Sequence, residues 1–143
     1  METQRFSNIK TEEETNRIAR DFASRMKKGD IVLLEGNLGS GKTFFVREVA
    51  KYFAIDEVSS PTFAIVNEYD GNVKIYHFDF YRIKKERELY DIGIDEYLSD
   101  EEAITFIEWA ELFPNAVPEY SYIVKILLLK NGLREITISK NDY

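Results

Sequence analysis

The stretch Ile31-Val32-Leu33-Leu34-Glu35-Gly36-Asn37-Leu38-Gly39-Ser40-Gly41-Lys42-Thr43-Phe44-Phe45 decides the fold class. Its first four residues are a continuous apolar run, the mark of a short strand buried on both faces. Residues 36–43 fit the complete G-x-x-x-x-G-K-[ST] phosphate-loop pattern, and a helical pattern resumes at Phe44 and runs to about Phe53. Each part of the loop has a physical purpose. Glycines let the backbone wrap closely around phosphate oxygens in conformations that a Cβ opposes. Amide hydrogens at a helix N-terminus then supply positive potential. The Lys42 ammonium neutralises outer phosphates, and the Thr43 hydroxyl is placed to ligate Mg²⁺. The expectation is a nucleoside triphosphate held with Mg²⁺, by Asn37, Leu38, Gly39, Ser40, Gly41, Lys42 and Thr43.

Outward from this loop, Thr11 and Glu14 form a capping-box signature, followed by Ile18, Phe22 and Met26 on one helical face. That helix ends before Gly29-Asp30. Residues 63–69 and 73–78 read as two strands joined at Asp70-Gly71-Asn72, and residues 82–90 as a charged, exposed helix. Residues 103–107 form a short buried strand ending at Glu108. Residues 122–129 and 133–139 flank a second turn at Asn131-Gly132. The expected fold is α/β: a P-loop NTPase-like three-layer fold with a mixed parallel and antiparallel central sheet. No repeat or Pro/Gly/Ser-rich linker divides the chain, so residues 1–143 read as one domain, with 1–10 a flexible or edge segment.

Composition limits the partners. Nineteen basic and 26 acidic residues among 143 leave a net charge of −7, which suits direct gripping of nucleic acid poorly. Any RNA involvement is expected to run through a basic partner or a local patch. No cysteine is present, which rules out disulfides and thiolate metal sites. Residues 1–10 are polar and no segment approaches a transmembrane length, so the expectation is a cytoplasmic protein with no membrane association.

A triphosphate hydrolase also needs a carboxylate at a strand end. Glu108 and Asp79 are the candidates, with Glu108 on the better buried strand and Asp79 on the more amphipathic one. His77, the single histidine, reads more readily as structural than catalytic. Trp109 is either a core aromatic or a contact beside the nucleotide. Of the basic residues between 82 and 87, Arg82 stands nearest Asp79 and is the one suspected of touching phosphate or a partner.

Taken together the motifs resemble the TsaE family, formerly YjeE, of bacterial tRNA modification. The resemblance rests on residues 34–43, then Val58-Ser59-Ser60-Pro61-Thr62-Phe63, Glu68-Tyr69, His77-Phe78-Asp79-Phe80-Tyr81-Arg82 and Ile107-Glu108-Trp109, in that order. It covers roughly Thr11 to the end. Ser40 departs from a common alanine, and Phe78 and Phe80 from common leucines. The resemblance implies a small ATPase using ATP and Mg²⁺, slow alone and dependent on the partner proteins TsaB and TsaD, with tRNA engaged only through the complex. By the same resemblance Lys42 and Thr43 hold phosphate and Mg²⁺, Glu108 is the Walker-B-like acid, and Thr62 and Asp79 lie on mobile segments near the γ-phosphate. Two readings from other classes stand beside it: a small-molecule P-loop kinase, and a nucleotide-binding module that does not hydrolyse. A GTPase is disfavoured because no Asn-Lys-x-Asp guanine-reading segment is present.

Overall fold

A computed structural model describes residues 2–58 and 65–141. Seven strands among these residues form one sheet: β1 (Glu2–Ile9), β2 (Ile31–Glu35), β3 (Val66–Asp70), β4 (Lys74–Asp79), β5 (Ala103–Glu108), β6 (Tyr122–Leu128) and β7 (Arg134–Lys140). Their order is β1-β7-β6-β2-β5-β4-β3. β6, β2, β5 and β4 run parallel, while β7, β1 and β3 attach antiparallel at the two sides. The mixed sheet is as expected, and the polar start of the chain forms an edge strand on β7.

Helix α1 (Glu12–Arg25) begins at Thr11, whose hydroxyl accepts from the Glu14 amide at 3.2 Å. The Glu14 carboxylate reaches back to the Lys10 amide at 2.8 Å, one residue outside the cap. Phe22 is fully buried, and Ile18 and Met26 pack at the margin of the same core. Together with α2 (Lys42–Tyr52), α1 covers one sheet face, where Val32, Leu34, Phe106, Val124 and Ile126 meet Phe22, Phe45 and Val49.

The opposite layer is thinner. Helices α3 (Arg87–Asp91) and α4 (Ile94–Leu98), with single 3₁₀ turns at Ala110–Leu112 and Pro114–Ala116, cover only the β2, β5, β4 and β3 part of the sheet. The expectation of one exposed helix over residues 82–90 is corrected here. Phe80, Ile83 and Leu89 are buried, which pulls the start of this segment into the core. The Lys84 and Lys85 amides donate to the Glu88 carboxylate at 2.8 and 3.1 Å, so helix begins only at Arg87. With that layer in place, Ile75, Tyr76, His77 and Phe78 are all buried, so β4 is not the amphipathic strand that its sequence indicated. No helix of the described residues is long and apolar enough to cross a membrane.

Candidate nucleotide-binding site

In a parallel sheet the strand C-termini open a crevice that the fold leaves for ligands. Here β2, β4 and β5 end there at Glu35, Asp79 and Glu108, and the loop from Gly36 to Gly41 crosses above them. A cavity of about 460 Å³ lies beside that loop. Leu38, Gly39, Gly41, Lys42 and Thr43 line it from the loop side, and Asp79, Tyr81, Arg82, Glu108 and Trp109 from the opposite side.

The loop's shape is fixed by contacts that a side chain would prevent. A Cβ on Gly36 would lie 2.0 Å from the Ile126 carbonyl oxygen, and Gly41 caps α2 with a φ of 107°. The Asn37 side chain points away from the cavity and onto β6, donating to the Leu128 carbonyl at 3.0 Å and accepting from its amide at 3.1 Å. Ser40 is wholly buried, and its hydroxyl lacks a hydrogen-bond partner among the described residues. Its carbonyl accepts from Arg134 Nε of β7 at 2.9 Å. The side chains of Asn37 and Ser40 therefore shape the loop instead of lining the cavity.

Lys42 is 94% buried; its Nζ donates to the Gly36 carbonyl at 2.9 Å and sits 4.1 Å from the centre of the Trp109 ring. An ammonium over an indole face is held by the ring quadrupole. Trp109 itself has a φ of 62°, a left-handed conformation that a bulky residue adopts only where its surroundings impose it. Tyr81 stands 5.0 Å from it, ring centre to ring centre. Trp109 packs at the edge of the second core and also lines the cavity.

Glu108 and Asp79 are register partners on adjacent strands, so the two candidate acids share one face of the sheet. Glu108 is buried; its Oε2 accepts from Thr43 Oγ1 at 3.5 Å and lies 2.7 Å from His77 Nε2. Asp79 is half-buried and accepts from the Tyr81 amide at 2.9 Å. Burial raises its pKa from the ordinary aspartate value, with Glu108 adding to the shift and the Tyr81 amide, His77 and Lys42 opposing it. Among the described residues no three His, Asp or Glu side chains gather into a metal cage. Thr43 and the two carboxylates instead offer a sparse set of oxygen donors on the cavity wall.

Thr62 lies outside the described residues, as do Ser59 to Phe63 of the motif that contains it. Lys84, Lys85 and Arg87 are exposed and away from the cavity, whereas Arg82 is on its wall. Two contributors had no local signal in the sequence: Arg134, which reaches the loop from 94 residues away, and Tyr81 as the neighbour of Trp109.

Residues 9–136 match the family model described as threonylcarbamoyl adenosine biosynthesis protein TsaE. The chain is 41% identical over 138 residues to the tRNA threonylcarbamoyladenosine biosynthesis protein TsaE of Rickettsia bellii, covering 94% of each chain. Its identity to the protein of the same name from Bacillus subtilis is 40% over 129 residues, covering 89% of this chain and 80% of that one. In three dimensions it is similar to the crystal structure of Bacillus subtilis YdiB, with a TM-score of 0.78, 31% identity and coverage of 97% and 86% of the two chains.

Proposed function

The chain belongs to the TsaE family of tRNA threonylcarbamoyladenosine biosynthesis, and on that footing we propose that it is the Mg²⁺-dependent, ATP-hydrolysing subunit of that pathway. The observation that carries this reading is the convergence of Lys42, Thr43, Glu108 and Asp79 on one cavity beside the phosphate loop. The residues present fit a triphosphate: the Gly36 position admits no Cβ, and the Lys42 ammonium is already held at the loop by a carbonyl that phosphate oxygens can replace. Thr43 and Glu108 would hold Mg²⁺, which when bound offsets charge on the phosphates.

Each residue then has a task set by its chemistry. The loop amides and the α2 N-terminus bind phosphate oxygens through fixed dipoles. Lys42 places a charge against the outer phosphates, and its contact with Trp109 keeps it pointed across the cavity. Glu108 orients water or cation from below, and Asp79 works beside it. Trp109 and Tyr81 pack against each other at this end of the cavity. Among the described residues, Arg82 is the one arginine on the cavity wall. Phosphoryl transfer gains strongly from an arginine near the transferring group, so a partner-supplied arginine would raise the rate.

We infer that the partners are TsaB and TsaD, with tRNA met only through them, and that the protein works in the cytoplasm. The test is steady-state phosphate release by the purified chain, alone and with TsaB–TsaD. The expected result is slow release alone and faster release with the pair, abolished by Glu108→Gln, which keeps ATP bound. Rates unchanged by the pair, with no complex formed in ATP or a non-hydrolysable analogue, would refute the partner-dependent part. ATP turnover at the normal rate by Glu108→Gln would refute the role given to that acid.

A further inference from the structure

We propose that His77 is a positioning residue for Glu108: donating from Nε2, it fixes the Oε2 end of that carboxylate and so aims Glu108 at Thr43 and the cavity. The proposal rests on the reading of Glu108 as the acid that faces Mg²⁺. His77 is completely buried, on the sheet face covered by α2. It pairs in register with Phe106, two pairs behind Asp79 and Glu108 and on the same sheet face, so its ring reaches forward along the sheet to the acid. The contact is 2.7 Å, and the Oε2 that it engages is the oxygen that also receives Thr43 Oγ1 at 3.5 Å. A carboxylate that is to face a cation has no proton to give, so the hydrogen in this contact sits on Nε2.

Packing alone does not account for a histidine here. Nδ1 is buried and unpartnered among the described residues, a cost that an apolar side chain of similar size would avoid. Among the described residues, the one polar contact the ring makes is with Glu108. The terminal torsion of a glutamate is broad, and a 3.5 Å contact to Thr43 holds it weakly. Removing the imidazole therefore frees the carboxylate to turn. Groups that orient a metal-facing side chain in this way typically account for about 10- to 100-fold in metal affinity.

The single histidine makes the first test direct, because ¹⁵N-histidine labelling yields the signals of one ring. The expected spectrum has the hydrogen on Nε2; a ring protonated on Nδ1 alone overturns the proposal. The second test titrates Mg²⁺ against binding of a fluorescent ATP analogue to His77→Leu, His77→Asn and His77→Gln, with EDTA as the metal-free reference. Leu and Asn should raise half-saturating Mg²⁺ by about tenfold or more while leaving metal-free binding unchanged. Gln, whose terminal amide reaches about as far as Nε2, should stay within about threefold of the parent protein. Equal losses in Gln and Leu overturn the proposal, and Gln keeps the comparison open should Leu fail to fold. Glu108→Gln is the separate control. If it leaves half-saturating Mg²⁺ unchanged, the role assigned to Glu108 is what fails, while the ring spectrum still reports the contact itself.

Discussion

Alanine at Gly36 should disable nucleotide binding without removing any group that touches phosphate. An ideal Cβ there would lie 2.0 Å from the Ile126 carbonyl oxygen and 2.9 Å from Ser40 Oγ. Contacts under 3.0 Å do not persist, so loop and β6 must separate by about 1 Å. Neither gives easily, because β2 and β6 are paired through Glu35 and Lys125 immediately before this point. The Gly36 φ of 152° is also one that side chains resist. Overpacking of this kind costs about 1–3 kcal/mol, a fall in Tm of roughly 3–10 °C in a domain of this size. A displacement of about 1 Å in a positioned site costs on the order of 100-fold. Gly71→Ala supplies the control, since its Cβ would meet the Phe53 carbonyl oxygen at 2.3 Å at the β3–β4 turn, the opposite end of β4 from Asp79. Thermal melts and titration with a fluorescent ATP analogue measure both quantities. Gly36→Ala should lose stability and binding, and Gly71→Ala stability alone. If Gly36→Ala binds within about threefold of the parent protein, or Gly71→Ala loses binding equally, the argument from local geometry fails.

Three further outcomes follow from the same site. Lys42→Ala should fold and lose triphosphate binding by at least about 100-fold, because outer phosphate charge is left uncompensated; calorimetric titration showing parent-like affinity would refute its role. Asp79→Asn should raise Tm at neutral pH. The folded Asp79 pKa is raised by burial, so ionised Asp79 disfavours the folded state. Its cost is absent in acid below the unfolded value and grows as pH rises through the folded one, so the gain from Asn should vanish at low pH. Melts showing a pH-independent difference would contradict that sign. Arg134→Ala should weaken ATP binding about five- to tenfold, ~1–1.4 kcal/mol, through the lost bond to the Ser40 carbonyl. Arg134→Lys should not restore it, since lysine carries no Nε–H at that place, and full recovery of affinity would show that charge alone matters.

What the sequence determined by itself was whatever lies within a few adjacent residues. The phosphate loop was legible because strand, glycines, Lys42 and Thr43 are contiguous, so spacing alone dictates that geometry. The capping box at Thr11 and the Asn131-Gly132 turn were legible for the same reason, each being closed by local hydrogen bonds or a φ of +83° at Gly132. The acids Glu108 and Asp79 could be picked as strand ends, but their pairing required β4 and β5 to be neighbours in register. Residues 82–90 misled because their run of charges reads as a solvated helix face, whereas Ile83 and Leu89, with Phe80 just before them, are drawn into a core that exists only once β4 and β5 are assembled. His77 read as a structural residue until folding set it against Glu108, 31 residues away. Lys42 against Trp109 and Arg134 against Ser40 are likewise contacts across sheet and chain. Local pattern follows backbone sterics and neighbouring hydrogen bonds, which a few residues settle among themselves. The partners that tune the site are set by strand order and register, which depend on burial summed over the whole sheet.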